Sequence, residues 1–312
     1  MAGESEKSGA VRKLPRIVRT VAELQGLADE ERAARKRIAL VPTMGALHAG
    51  HMALVRAARA RADRVWVSIF VNPTQFGPNE DFSRYPRPFE QDVALCGEEG
   101  VDLVFAPSVE EMYPTGAQTT VEVGELAKPL CGASRPGHFR GVATVVTKLL
   151  VAAKPHVAVF GEKDFQQLAL IRRLVRDLLL DVEIVGVETA RGRDGLALSS
   201  RNTLLVPEVR QDALSLVRAL DAAEAAVAGG EDSADELLRI VRGVFLQAKS
   251  AELDYAELRD PRTLEAAPQR LCAPTLLAVA ARFPATGGGP DARVRLIDNR
   301  VLHPKPGPEE RP

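Results

Sequence analysis

Of the five histidines in this 312-residue chain, His48 and His51 stand three apart in the stretch LVPTMGALHAGH, residues 40–51. Three apart on one helical turn, they share a face, so both rings can address the same oxygens of one anion. Neutral or protonated, each ring can donate a hydrogen bond to charge that grows in a transition state. Gly45 and Gly50 let the backbone approach a ligand closely, and the amides of a helix opening near Gly50 favour a phosphate. Two other readings of the pair stay open: packed helix caps, or zinc ligands, although no Cys and no HExxH glutamate accompanies them.

Three further loops carry usable chemistry. NPTQFGPNEDFSRYP (72–86) contains Asn72 and Gln75, uncharged amides suited to a hydroxyl or carbonyl of a small polar substrate. Asn72 ahead of Pro73 reads equally well as a turn residue. FGEKDFQQ (160–167) offers Gly161, Lys163 as a point charge for phosphate, Asp164 as an acceptor for ribose hydroxyls, and Gln167 one turn into a helix. The alternative there is a capping sequence with Asp164 as N-cap. GLALSSRN (195–202) brings Ser199, Ser200 and Arg201 to a domain junction, where a loop could close on a triphosphate.

The elements that must position these loops follow from the alternation of β-rich runs and helical patterns. RIALV, VWVSIFV, VDLVFAP, HVAVF and VEIVGVE read as strands. Helices are expected from about Gly50, around EQDVALCGEEG, and over GVATVVTKLLVAAK and FQQLALIRRLVRDL. This repetition predicts a Rossmann-like, doubly wound parallel α/β domain over residues 17–188. In such a sheet, ligands bind beyond the carboxyl ends of the strands, and the loaded loops leave those ends. The texture then changes to helices at about 208–228 and 233–248 and to strand-like LDYAELRD, LLAVAARF and ARVRLID, a smaller α+β domain over 189–301. Residues 1–16 and 302–312 are polar or proline-rich and read as disordered tails.

Composition limits the function. Lys plus Arg at 41 against Asp plus Glu at 42 leaves a net charge of -1, so no global field recruits nucleic acid or an anionic membrane, and anion binding must be local. Only 4% of residues are aromatic, which also disfavours stacking platforms for single strands. Cys96, Cys131 and Cys272 form no CxxC pair, so neither a disulfide framework nor a zinc ribbon is indicated and a reducing cytoplasm fits. No run reaches the roughly 20 apolar residues of a membrane helix.

VPTMGALHAGH, SIFVNPTQF, RYPR, SRPGHFRGV, FGEKDFQQL, DGLALSSRN and RLIDN, spread over residues 37–300, resemble the pantoate–β-alanine ligase (pantothenate synthetase) family. HAGH is the HxGH signature of the wider nucleotidylyltransferase superfamily. The resemblance implies ATP-dependent condensation of (R)-pantoate with β-alanine, giving pantothenate, AMP and pyrophosphate, with Mg²⁺, through a pantoyl adenylate, in a homodimer. It implies that His51 is the proton donor and that His48, Lys163, Arg201 and Mg²⁺ spread the charge on the phosphates. Met44, Gly45, Ala46, Leu47, His48, Ala49, Gly50 and His51 would line the ATP site, with Gly161, Glu162, Lys163, Asp164, Leu198, Ser199, Ser200 and Arg201. Gln75 and Gln167 would bind pantoate, with Asn72, Arg135 and His138 beside the substrates. Arg135 and His138 are expected near the phosphates, a loop-anchoring role being the alternative. Asp92 is the candidate magnesium contact. One departure is Thr74, where the family often has Met. The competing functions are another adenylyl- or cytidylyltransferase with the same core, which would leave the two glutamines without a task, or a nucleotide sensor, which would be expected to lack one of His48, His51, Lys163 or Arg201.

Overall fold

A computed structural model describes residues 14–305, apart from Asn79, Asp81, Gly288 and Pro290. Most of both expected tails therefore lies outside the described residues. The larger unit carries six strands: β1 (Arg16–Val18), β2 (Ile38–Thr43), β3 (Arg64–Ile69), β4 (Leu103–Phe105), β5 (Val157–Gly161) and β6 (Glu183–Val187). Its helices are α1 (Val21–Ala33), α2 (Ala49–Arg59), α3 (Phe89–Glu98), the single turns α4 (Val109–Met112) and α5 (Cys131–Ser134), α6 (His138–Ala153) and α7 (Phe165–Asp177). The strands form one parallel sheet in the order β1-β4-β3-β2-β5-β6.

The strands read as near-continuous apolar runs because both faces of the sheet are covered. Alternation along each strand divides them between two cores. Ile38, Leu40, Trp66, Ala158 and Phe160 pack on one face with residues of α1, α6 and α7, while Ala39, Val41, Val65, Val67, Val157 and Val159 pack on the other with residues of α2 and α3. From β2 the chain builds outward through β3 and β4, then returns to lay β5 on the opposite side of β2. The loops leaving β2 and β5 thus diverge from adjacent strand ends, which is the crevice where doubly wound sheets bind ligands.

β1 and α1 were not expected from the sequence. Three residues, RIV, carry no readable periodicity and become a strand only through parallel pairing with β4. Thr20 then caps α1 by accepting from the Glu23 amide (3.3 Å).

The smaller unit consists of α8 (Arg210–Ala213), α9 (Ser215–Gly229) and α10 (Ala234–Gln247), with an antiparallel sheet of β7 (Glu252–Arg259), β8 (Thr275–Pro284) and β9 (Arg293–Leu302) in that order. The helix expected over 208–228 is broken: a 3₁₀ turn at Pro207–Val209 and the short α8 precede α9. Leu216, Leu220, Leu237, Val241, Leu277, Val279 and Phe283 form its core. On the other face of this sheet, Leu276 and Ala278 pack with Leu130, Leu264 and Phe165, which joins the smaller unit to the larger one beside the β5 turn.

Candidate active site

The loop after β2 is bent by two successive left-handed residues, Gly45 (φ 81°) and Ala46 (φ 50°). For alanine this conformation costs about 1–2 kcal/mol, so something must hold it. Asp92 of α3 does so: 1% exposed, its carboxylate accepts the amides of Ala46 (2.8 Å) and Leu47 (2.7 Å). Burial holds its pKa above the ordinary carboxylate value, and the two amide bonds oppose that rise. Asp92, expected as a magnesium contact, borders neither cavity of the site and stands as the backbone anchor of this loop. The same bonds turn the Ala46 and Leu47 amides away from any nucleotide, and Leu47 packs in the core.

His48 is the N-cap of α2. Its Nδ1 accepts the Gly50 amide (3.1 Å), while Nδ1 of His51 accepts the His48 amide (3.3 Å). A side chain at position 50 would displace the His48 ring, because a Cβ there would lie 2.9 Å from its Cε1. An Nδ1 that accepts a hydrogen bond carries no hydrogen, so each neutral ring holds its hydrogen on Nε2; this tautomer is inferred from the bonding pattern. The rings lie 4.1 Å apart between centroids. Burial, then the Lys163 charge, lowers the His48 pKa to about 4; burial, then His48 itself, lowers that of His51 to about 3. Both rings are neutral near pH 7. The capping role and the donor role thus coexist: Nδ1 closes the helix and Nε2–H remains for a ligand. In this neutral form each ring offers a hydrogen bond through its Nε2–H.

The turn after β3 is a hydrogen-bonded hub centred on Asn72, which is 1% exposed. Its Nδ2 donates to Gln75 Oε1 (3.1 Å) and to the Gly141 carbonyl (3.2 Å). Its Oδ1 accepts from Thr74 Oγ1 (2.9 Å) and Tyr113 Oη (2.8 Å). Asn72 is thereby a turn residue that holds Gln75, not a substrate ligand with free valences. Thr74 contributes its hydroxyl to this hub. Gln75 faces the cavity, with Nε2 3.0 Å from Met44 Sδ.

Arg135 and His138 serve the same turn. His138 Nδ1 donates to the Gln75 carbonyl (2.8 Å) and its Nε2 accepts from Arg135 Nη1 (3.0 Å). Arg135 Nη2 also reaches that carbonyl (3.2 Å), and Glu80 clamps the guanidinium with two contacts of 2.6 Å. Burial works against ionising Glu80, but the Arg135 bonds outweigh it and hold its pKa low. Burial and Arg135 lower the His138 pKa to about 3. Both residues line the cavities, and their hydrogen bonds to Gln75, Glu80 and each other have the geometry of the loop-anchoring alternative. Glu80, which completes this clamp, was not singled out in the sequence. A glutamate 55 residues from its arginine leaves no local signal.

At the end of β5, Gly161 opens onto the cavity and the 3₁₀ turn Glu162–Asp164 presents Lys163 and Asp164, 3.9 Å apart. Asp164 occupies the N-cap position of α7 without a side-chain capping bond. Gln167 lines the cavity from the first turn of α7, whereas Gln166 beside it is structural, donating to the carbonyls of Leu126 and Pro129. The 198–201 loop closes the circle: Ser200 Oγ donates to the Ala46 carbonyl (3.0 Å), Ser199 Oγ accepts the Arg201 amide (3.2 Å), and the Arg201 guanidinium lies 5.7 Å from the Tyr85 ring centre.

Two confluent cavities result. One of about 230 Å³ holds His48, His51, Gln75, Gly161 and Leu198; the other, about 530 Å³, extends between the two units towards β9. They share Arg135, His138, Lys163, Asp164, Gln167, Ser199 and Arg201. The first alone is small for a nucleotide, and the two together fall within the usual range of ligand sites. Gly45, Ala46, Leu47, Ala49 and Glu162, expected at the ATP site, line neither. Among the described residues, no three His, Cys, Asp or Glu side chains are grouped to hold a metal.

The chain is similar to known proteins over nearly its whole length. The profile of the pantoate-beta-alanine ligase family matches residues 16–301. A pantothenate synthetase of Syntrophobacter fumaroxidans is 54% identical over 289 residues, covering 93% of this chain and 99% of that protein. The crystal structure of pantothenate synthetase from Thermus thermophilus superposes with a TM-score of 0.84 at 49% identity, over 93% of this chain and 100% of that one. A Francisella tularensis pantoate-beta-alanine ligase, solved in complex with β-γ ATP and β-alanine, gives 0.69 at 34% identity over 92% of this chain and 97% of that one. Fold, site and near full-length similarity converge: the chain belongs to the pantoate–β-alanine ligase family.

Proposed function

We propose that the two cavities divide the work of one ligase, which joins pantoate to β-alanine with ATP to give pantothenate. A carboxylate is a poor electrophile because its leaving group would be oxide. In the first step the pantoate carboxylate attacks the α-phosphorus of ATP and pyrophosphate leaves. In the second, the amine of β-alanine attacks the acyl carbon of the resulting pantoyl adenylate and AMP leaves.

Negative charge grows on the phosphate oxygens during the first step. The Nε2–H groups of His48 and His51, with Lys163 and Arg201, form the donor set that meets it. Because the rings are already neutral and capped through Nδ1, they need no reorganisation to act. Gln75 and Gln167 hold pantoate across the cavity, and Gly161, Asp164 and Leu198 border the nucleotide. Mg²⁺, carried on the ATP phosphates beside Asp164, would neutralise part of their charge. The enzyme acts as a homodimer in this reading, which sizing of the purified protein checks.

The observation that carries the proposal is the capped histidine pair, with Nε2–H left free beside Lys163 and facing the Gln75 turn. The test is to incubate the protein with ATP, Mg²⁺ and pantoate and then add β-alanine. Pantothenate and AMP in equal amounts support it; ADP in place of AMP would point to an acyl phosphate and overturn it.

A further inference from the structure

The motif RLIDN, at residues 295–299 on β9, has no task in the reaction as written. Asn299 reaches from the smaller unit to the β5 turn, where its Nδ2 donates to the carbonyls of Glu162 (3.0 Å) and Lys163 (2.9 Å). These carbonyls belong to the two peptide units on either side of the Lys163 Cα. Tethering both fixes the orientation of that residue's backbone, and with it the direction in which the lysine leaves the turn. The turn itself is only a three-residue 3₁₀ helix, so it has little hydrogen bonding of its own to set that direction.

Asn299 is itself braced. Its neighbour Asp298, 2% exposed, accepts the Asn299 amide (2.8 Å) and binds Arg191 bidentately (2.6 and 3.0 Å). Arg191 pairs in turn with Ala197, just before Ser199–Arg201. Consecutive residues of one strand therefore hold both walls of the phosphate region: the lysine turn through Asn299, and the serine–arginine loop through Asp298.

We propose that Asn299 is a positioning residue for adenylation, acting through Lys163. The inference rests on the assignment of Lys163 to the phosphates. The test is a double-mutant cycle on pantoate-dependent exchange of labelled pyrophosphate into ATP, with melting temperature measured on every variant. Asn299→Ala should lower the exchange kcat about 10- to 100-fold, as expected for a misplaced transition-state group, with the ATP KM within about threefold of wild type. In a Lys163→Ala background the same change should add less than about twofold, because the group it positions is gone. Asn299→Asp keeps the shape but turns an acceptor towards two carbonyls, and should lose at least as much rate as Asn299→Ala; if the alanine variant does not fold, the aspartate variant takes its place in the cycle. A full, additive loss in the Lys163→Ala background would overturn the inference while leaving Lys163 in its role. A Lys163→Ala enzyme with wild-type exchange would overturn both. A folded Asn299 variant with unchanged kcat would also overturn the inference.

Discussion

A methyl group at position 141 separates the Gln75 turn from the rest of the site. Gly141 lies in the first turns of α6, and a Cβ there would sit 2.3 Å from the Thr74 carbonyl oxygen, 2.5 Å from its carbon and 2.7 Å from the Gln75 nitrogen. Ordinary contact begins at 3.4 Å, so the shortfall is about 1 Å, and all three atoms are main chain that cannot rotate aside. In Gly141→Ala either α6 or the 73–75 turn must move by about that distance, at an overpacking cost of about 1–3 kcal/mol. The turn is the shorter element, and it carries Gln75 with it. A displacement of 1 Å in a positioning group costs up to about 10² in rate. Steady-state pyrophosphate exchange should therefore show a pantoate KM raised about tenfold or more and a reduced kcat, with the ATP KM changed less than about twofold. Gly243→Ala is the control: nothing lies within 4 Å of a Cβ at that position in α10, and it should leave activity intact and stability equal or slightly higher. A folded Gly141→Ala enzyme with normal pantoate kinetics would refute the assignment of the Gln75 turn to pantoate.

Three other outcomes follow from the same geometry. His51→Ala should lower the adenylation rate by about 10² to 10³ while ATP affinity moves much less; because its Nδ1 also accepts the His48 amide, melting should fall as well, by the equivalent of about 1 kcal/mol. His51→Gln should recover part of the rate, and an alanine variant that lost only melting temperature would leave the ring a cap and nothing more. Asp92→Asn should destabilise the protein by about 1–3 kcal/mol, since one of two amides loses its acceptor, with the Mg²⁺ concentration for half-activation unchanged; a large shift in Mg²⁺ dependence would point to a metal contact. His48, His51 and His138 have folded pKa values of about 4, 3 and 3 against an unfolded value near 6.5, so the folded state binds fewer protons between those limits. Their contribution is complete above about pH 6.5 and is lost as pH falls from there, by at most about 1.4 kcal/mol per pH unit for each ring; urea unfolding from pH 7.5 to 5 should show a shallower slope in His138→Gln, and an unchanged slope would contradict burial as the cause.

The parallel sheet was legible because each central strand is an apolar run followed by a loaded loop, and loops at the ends of β2, β3 and β5 do converge. β1 was not, since three residues acquire strand geometry only from their partner. The roles of single residues were harder. His48 and His51 could be read as donors or as caps, and local spacing could not reveal that two nitrogens allow both. Asp92 was singled out as a magnesium contact, and its anchoring of Ala46 and Leu47, 46 and 45 residues away in the chain, left no local signal. Asn72, Arg135, His138 and Glu80 were invisible as one unit, because the bonds joining them to Gln75 cross up to 63 residues of sequence. Residues that touch a ligand cluster in motifs near strand ends; the residues that hold those motifs in place are selected by the tertiary fold.

The central claim is an activated carboxylate formed before the amine arrives. The most direct measurement is the exchange of labelled pyrophosphate into ATP with pantoate and Mg²⁺ present and β-alanine absent. The account predicts exchange that depends on pantoate and disappears when pantoate is omitted. Exchange that appeared only after addition of β-alanine would contradict it, because the amine would then take part before pyrophosphate leaves.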